Sequence, residues 1–214
     1  MTSAPHPLQP QRWPAGWFLV ASAIGFGLSL LAVWCSSRDV DRATSHVPPG
    51  QCATAKLPPI PRCRGLVLLQ LAGSQESADT IVKVIRDSSA MKQAVRSVQL
   101  DYVLIPFYVA FLGIFGAAVA SLKGLRDYKW VRRVLFLVAS LQGVAGVLDG
   151  VENVGLFAML AACKVQRGVA EWTFWVSWAK WWLIGVGFAA PLLAFIVWAL
   201  LIRGRNSGPA GAGG

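Results

Sequence analysis

Residues 134–162 read VLFLVASLQGVAGVLDGVENVGLFAMLAA. The run is long enough to cross a bilayer, since a helix needs about 20 apolar residues to span roughly 30 Å of hydrocarbon. It nevertheless carries Asp149 and Glu152. A charge at the centre of a membrane helix costs about 2.5–3.5 kcal/mol even on the lenient insertion scale, so it normally faces a partner or a cavity. Spacing shows how this helix manages that cost. Asp149, Glu152 and Asn153 sit at i, i+3 and i+4, which places them on one face, and Gln142 extends that face by two turns. Gly143, Gly146 and Gly150 lie beside the stripe and are expected to let another helix approach closely. The stripe must point into a bundle of helices.

Three further blocks supply that bundle. Residues 17–34 carry no charge, residues 101–121 are charged only at Asp101, and residues 172–202 contain Lys180. Strands are the weaker reading, because membrane-barrel strands alternate and run only ~10 residues. The whole composition agrees: 55% of the 214 residues are hydrophobic and 14% are charged, against roughly 25% charged in soluble domains. The expected fold is therefore all-α, a polytopic membrane protein of four transmembrane helices. A signal peptide is the competing reading of the first block, given Arg12 before it. The apolar run is long for that purpose, and Trp34 spoils the natural cleavage site.

Basic residues set the expected orientation. Lys123, Arg126, Lys129, Arg132 and Arg133 crowd the connection 122–133, and such short loops stay on the cytoplasmic side. Both termini (residues 1–16 and 203–214) then lie inside, the latter as a Gly-rich disordered tail, while residues 35–100 and 163–171 lie outside. The expected location is a membrane, crossed several times. Within 35–100, residues 35–64 read as irregular, with Pro48-Pro49-Gly50 and a second proline cluster. The apolar stretch 65–73 is too short to span and reads as a surface segment or a strand. Residues 77–98 read as an amphipathic helix, from Ile81, Val84, Ile85, Met91, Val95 and Val98 at helical steps. That helix lies on the membrane face or packs on its own loop.

All four cysteines, Cys35, Cys52, Cys63 and Cys163, fall on the outer side in this arrangement, where disulfides persist. Cys52 and Cys63 bracket Pro58, Pro59 and Pro61, so a local closure is the first expected pairing and Cys35 with Cys163 the second. Four cysteines allow three pairings, and four free thiols are the alternative.

Depth nominates the partner of the acidic stripe. Glu152 lies roughly 16 Å below the outer end of its helix, and Lys180 roughly 12 Å below the outer end of the next, at 1.5 Å per residue. A short loop joins the two helices, so they are antiparallel neighbours, and a lysine stem closes the difference. The expectation is an ion pair of Lys180 with Glu152 or Asp149, with Thr173 and Ser177 on the lysine's own face. Asp101 and Tyr108, seven apart, are placed at the outer rim of the cluster, with Pro106 bending the helix between them. Trp172, Trp175, Trp178, Trp181 and Trp182 read as an interfacial belt. Asp149 and Glu152 against Lys180 leave one negative charge in excess. A bound proton, water or a further cation answers that surplus.

Leu100-Asp101-Tyr102 with Pro106 and Tyr108, then Leu148-Asp149-Gly150-Val151-Glu152-Asn153, then Lys180-Trp181, resembles the pattern of a group of uncharacterised bacterial four-helix integral membrane proteins. The similarity covers residues 65–200, and the L-D-x-x-E-N element is its most specific part. It implies the four-helix fold and the importance of Asp101, Asp149, Glu152, Asn153 and Lys180. It implies no reaction, because no activity is established for the group.

Missing motifs narrow the function. The two histidines, His6 and His46, lie outside the spans, so bis-histidine haem and His-based metal sites are not expected. No G-x-x-x-x-G-K-[ST], G-x-S-x-G or H-E-x-x-H occurs. No cofactor or catalytic residue is assigned. The excess of cations is mainly topogenic, so nucleic acid is not an expected partner; the lipid bilayer is, together with a membrane-protein partner or a second copy of the chain. Three readings follow. In the first, the polar cluster serves helix assembly or partner binding. In the second, it titrates in a small proton- or ion-coupled carrier or channel component. In the third, it serves a membrane-embedded enzyme acting on a lipid-soluble substrate. Whether the cluster opens to a cavity separates them.

Overall fold

A computed structural model describes residues 15–45, 65–122, 125 and 128–206, and among these the chain is helical with no strand. Six helices follow in order: α1 Ala15–Thr44, α2 Leu66–Gln70, α3 Gln75–Asp87, α4 Met91–Ala120, α5 Lys129–Ala161 and α6 Arg167–Asn206. Three of them, α4, α5 and α6, are long and apolar enough to cross a membrane. α1 makes a fourth when its two parts, bent by 43° between Cys35 and Ser37, count as one span. Each long helix extends beyond its apolar block because backbone hydrogen bonding does not stop where hydrocarbon ends.

α4 is the central element. It packs against α1 on one side and α5 on the other, with a lighter contact to α6, while α5 and α6 pack along each other. α1 and α6 have no substantial packing between them. On the α1–α4 seam, Phe107 lies so close to Gly25 that a Cβ there would overlap the ring, and Phe26 stacks on Phe111 at 5.8 Å. At the other end of the bundle, Val119, Ala120, Leu125 and Leu135 form a small core. Leu125, the described residue at the tip of the basic connection, is thus held by apolar burial.

A cap covers the opposite end. Its core joins Val40 of α1, Leu68 and Leu69 of α2, Ile81, Val82 and Ile85 of α3, and Leu156 and Met159 of α5. Ser74 starts α3 by accepting a hydrogen bond from the Ser77 N–H at 3.3 Å, and Glu76 suits the positive end of the helix dipole. Three polar ties fasten the cap. Asp79 Oδ1 accepts from the Val165 N–H at 2.6 Å, Arg86 donates to the Ala162 carbonyl at 2.8 Å, and the Gly65 N–H donates to Thr44 Oγ1 at 2.9 Å.

Several sequence expectations change here. Residues 35–44, expected to be irregular, continue α1, because Val40 and Thr44 bury against the cap. The stretch 65–73 is not a strand. It holds the short helix α2, with Leu68, Leu69 and Gln70 buried. The amphipathic helix expected over 77–98 is two helices. α3 ends in a turn where the Ala90 N–H reaches back to the Ile85 carbonyl at 3.1 Å and Ser89 takes φ 59°, a helix ending usually given to glycine. Its second half is the first part of α4. The apolar face of α3 is covered by protein. Cys35 and Cys163 are both free and exposed, which corrects their expected pairing. Cys35 is carried on α1, which packs on α4, whereas Cys163 follows the end of α5. Cys52 and Cys63 lie outside the described residues.

Candidate functional site

α6 presents one buried stripe, Thr173, Ser177, Lys180, Gly187 and Pro191, at spacings of three, four and seven. α5 answers with Gln142, Asp149, Glu152, Asn153 and Gly155. Small residues let the two helices close. A Cβ at Gly155 would overlap Thr173 Oγ1 and approach Trp172, and one at Gly187 would overlap the Gln142 amide. Gln142 is pinned there by donating to the carbonyls of Val138 and Leu183, each at 3.2 Å.

Between these contacts sits the charged cluster. Lys180 Nζ lies 2.8 Å from Asp149 Oδ1 and 2.7 Å from Glu152 Oε2, so the lysine bridges both acids. Asp149, Glu152 and Lys180 are 3%, 0% and 3% exposed. The Ser177 hydroxyl donates to the Thr173 carbonyl at 2.8 Å, and the same side chain adjoins Glu152. Such a bridge binds α5 to α6 only while all its members are present, because removing one leaves an uncompensated charge in a low-dielectric interior.

α4 adds the third wall. Asn153 Nδ2 donates to Asp101 Oδ2 at 2.9 Å, and Tyr102 donates to the Gly150 carbonyl at 3.3 Å. Asp101 therefore holds the outer edge of the cluster. Tyr108, two turns further along α4, is buried with its hydroxyl beside Asp149. It closes the inner side of the cluster. Asp101 is also a neighbour of Asp149, so three carboxyl groups share one lysine. Asn153 Oδ1, Thr173 Oγ1 and Glu152 Oε1 are buried without a hydrogen-bond partner among the described residues.

The cluster is not sealed. Asp101, Tyr108, Asp149, Asn153 and Lys180 all line a cavity of about 670 Å³. Its floor is α4 and α5, and its two sides are α1, through Phe26, Leu30 and Val33, and α6, through Trp181, Ile184 and Phe188. Leu66, Val67 and Gln70 of α2 line its outer end, where Ser37, Asp41 and Ser97 form a second polar group. Its mouth lies between α1 and α6: the lining residues Leu30, Trp181 and Phe188 are 48%, 52% and 49% exposed on the outside of the bundle. The cavity exists because those two helices do not pack on each other.

Sequence reasoning paired Lys180 with Glu152 or Asp149, and the structure brings all three together. Asp101, Tyr108 and Asn153 line the same cavity as Asp149 and Lys180, whereas Gln142 stands in the α5–α6 seam. Of the expected close-contact glycines, Gly146 alone admits a neighbouring helix. Gly143 and Gly150 face nothing within 4 Å and Gly146 meets Ile105 and Val109 of α4, whereas Gly155 and Gly187 set the α5–α6 distance. Gly187 lies seven residues after Lys180 and shares its face, a signal already present in the chain. Trp175, Trp178, Trp181 and Trp182 are exposed on the surface of α6. Among the described residues no group of three His, Cys, Asp or Glu side chains is placed to hold a metal ion.

Comparison with protein-family models, curated proteins and solved structures finds no match to this chain.

Proposed function

We propose that this is a four-span integral membrane protein that binds a lipid-soluble amphiphile in the cavity between α1 and α6. The polar head sits at Asp101, Asp149, Asn153 and Lys180, and the apolar part lies along α1 and α6. The single observation that carries this reading is continuity. One cavity of about 670 Å³ runs from exposed apolar side chains of the bundle surface to buried ionisable ones. Ligand sites are typically apolar clefts with a few converging polar groups, and intramembrane ionisable residues normally mark such sites.

Helix assembly explains the bridge from Lys180 to Asp149 and Glu152. It does not explain why Asp101, Tyr108 and Asn153 face empty space beside it. A conduit for ions or protons would need a chain of polar groups continuing toward the other end of the bundle; there, apart from Gln142, the described interior is Leu112, Gly116, Val119 and Leu135. A carrier or an enzyme for a lipid-soluble molecule would each need the binding step, and binding is what this geometry supports. The basic connection 122–133 supports cytoplasmic termini, with the cap on the opposite side of the membrane.

A photoreactive long-chain amphiphile, added to the protein in lipid nanodiscs, tests the reading. Adducts are expected on the α1 segment containing Phe26 and Leu30 and the α6 segment containing Trp181 to Phe188, and Leu30→Trp should abolish them. Labelling spread evenly over all lipid-facing surfaces, including Val147 and Val154 of α5, and unchanged by Leu30→Trp would refute it.

A further inference from the structure

The cavity has a charge preference built into its walls, and this inference rests on the binding role proposed above. Four side chains of ordinary acid or base character line it, Asp41, Asp101, Asp149 and Lys180. Three are acids, and Glu152 stands directly behind the only base. The chain as a whole is the reverse, with 20 Lys+Arg against 10 Asp+Glu. Three of its ten acids thus line one apolar cavity in a strongly basic protein.

The one base is already committed. Lys180 Nζ is held by Asp149 and Glu152 at 2.8 and 2.7 Å, and its ammonium stands 5.1 Å from the centre of the Trp181 ring. No cationic side chain forms a salt bridge with Asp101 among the described residues; it accepts from the neutral amide of Asn153 and adjoins the Asp149 carboxyl. That arrangement leaves Asn153, fully buried, with its carbonyl oxygen Oδ1 unpartnered beside the cavity. The wall therefore offers acceptors and negative charge. What complements it is a donor-rich cation.

We propose that the occupant is a lipophilic amine, whose ammonium head donates to Asp101 and to Asn153 Oδ1 and whose chain lies against Phe26, Leu30 and Phe188. An ammonium has three donors and no acceptor, which fits this set. The aromatic rings along the same path add a favourable surface for a cation. An anionic head, carboxylate or phosphate, would meet charge of its own sign in a low-dielectric wall. A bare inorganic cation would use the acceptors and leave the long apolar part of the cavity without a role.

The test uses the full chain in nanodiscs of neutral lipid and three probes of equal length, laurylamine, lauryl alcohol and laurate. Binding to empty nanodiscs is subtracted. Laurylamine is expected to bind about tenfold or more tighter than the alcohol, which is the weight of one charge-assisted hydrogen bond, and laurate is expected not to bind. Asp101→Asn, which keeps the shape and removes the charge, should erase the amine's advantage over the alcohol. Asn153→Asp, read in the same assay, should retain the preference for the amine, so a folding defect in one variant does not decide the matter. Equal binding of amine and alcohol, insensitive to Asp101→Asn, overturns the cationic head and leaves the cavity as a site. Displacement of laurylamine by a sodium salt but not by shorter alkylamines overturns it in favour of an inorganic cation. Absence of binding by all three probes removes both this inference and the binding role beneath it.

Discussion

α6 has two flanks that the same sequence treats in opposite ways. Toward α5 it is closed: Gly155 and Gly187 bring the helices together, and Thr173, Ser177 and Lys180 are buried between them. Toward α1 it is open, with Trp181, Ile184 and Phe188 standing along a cavity that no described helix fills. The difference shows how an intramembrane charge can do two things. Glu152, with 0% exposure, belongs wholly to the closed side. Asp149 and Lys180 stand at the boundary, holding α5 to α6 while also lining the cavity. Asp101 and Tyr108 reach the boundary from α4 and add polarity that the closed side does not need.

The contrast breaks most visibly at Lys180. Lys180→Met strands two carboxyl groups in the closed interface, and its expected cost is about 3–5 kcal/mol, seen as lost monodisperse protein in detergent or a much lower Tm. Adding Asp149→Asn and Glu152→Gln should recover most of that loss. Lys180→Met with Asp149→Asn alone should not, because Glu152 remains unpaired. Recovery by that pair alone would mean that Glu152 is not part of the bridge.

Gly155→Ala comes next. Its new methyl overlaps Thr173 and presses on Trp172, and overpacking of this kind costs typically about 1–3 kcal/mol. A matched Gly150→Ala has open space around it and should leave the Tm unchanged, so equal effects at both positions would contradict the closed seam. On the open flank, Leu30→Trp fills the mouth without touching the bridge. Stability should stay within about 0.5 kcal/mol, measured by thermal melting, while amphiphile labelling is lost. The smallest effect belongs to Tyr108→Phe. It removes one buried hydroxyl beside Asp149, so the melting should change by no more than about 1 kcal/mol. A loss of more than about 1 kcal/mol, the usual worth of a made hydrogen bond, would show that the hydroxyl is an integral part of the closed cluster.

Much of the closed flank was legible in the chain, because helical periodicity and depth are linear properties. Counting residues inward from Cys163 and Trp172 was enough to set Lys180 against Asp149 and Glu152, and the i, i+3, i+4 spacing put Asn153 on the same face. The glycines were harder. A glycine permits close approach without saying which helix approaches, and so Gly146 meets α4 while Gly143 and Gly150 meet nothing. The cap was misread where a tertiary contact overrides local pattern. Residues 35–44 stay helical because Val40 and Thr44 are buried, and the apolar periodicity running through 77–98 hides the turn at Ser89. The open flank could not be seen at all. Its cavity comes from two apolar helices that fail to meet, and each of them, read alone, has the same composition as a helix that packs.

The most direct measurement places a nitroxide at Ile184 on the cavity side of α6, in a background with Cys35, Cys52, Cys63 and Cys163 changed to serine. Its collision rate with dissolved oxygen is then read in nanodiscs. The account predicts access close to that of a lipid-facing site such as Val154, falling when laurylamine is added. Access as low as at buried Leu156, and unaltered by the amine, would contradict a cavity open to the membrane between α1 and α6.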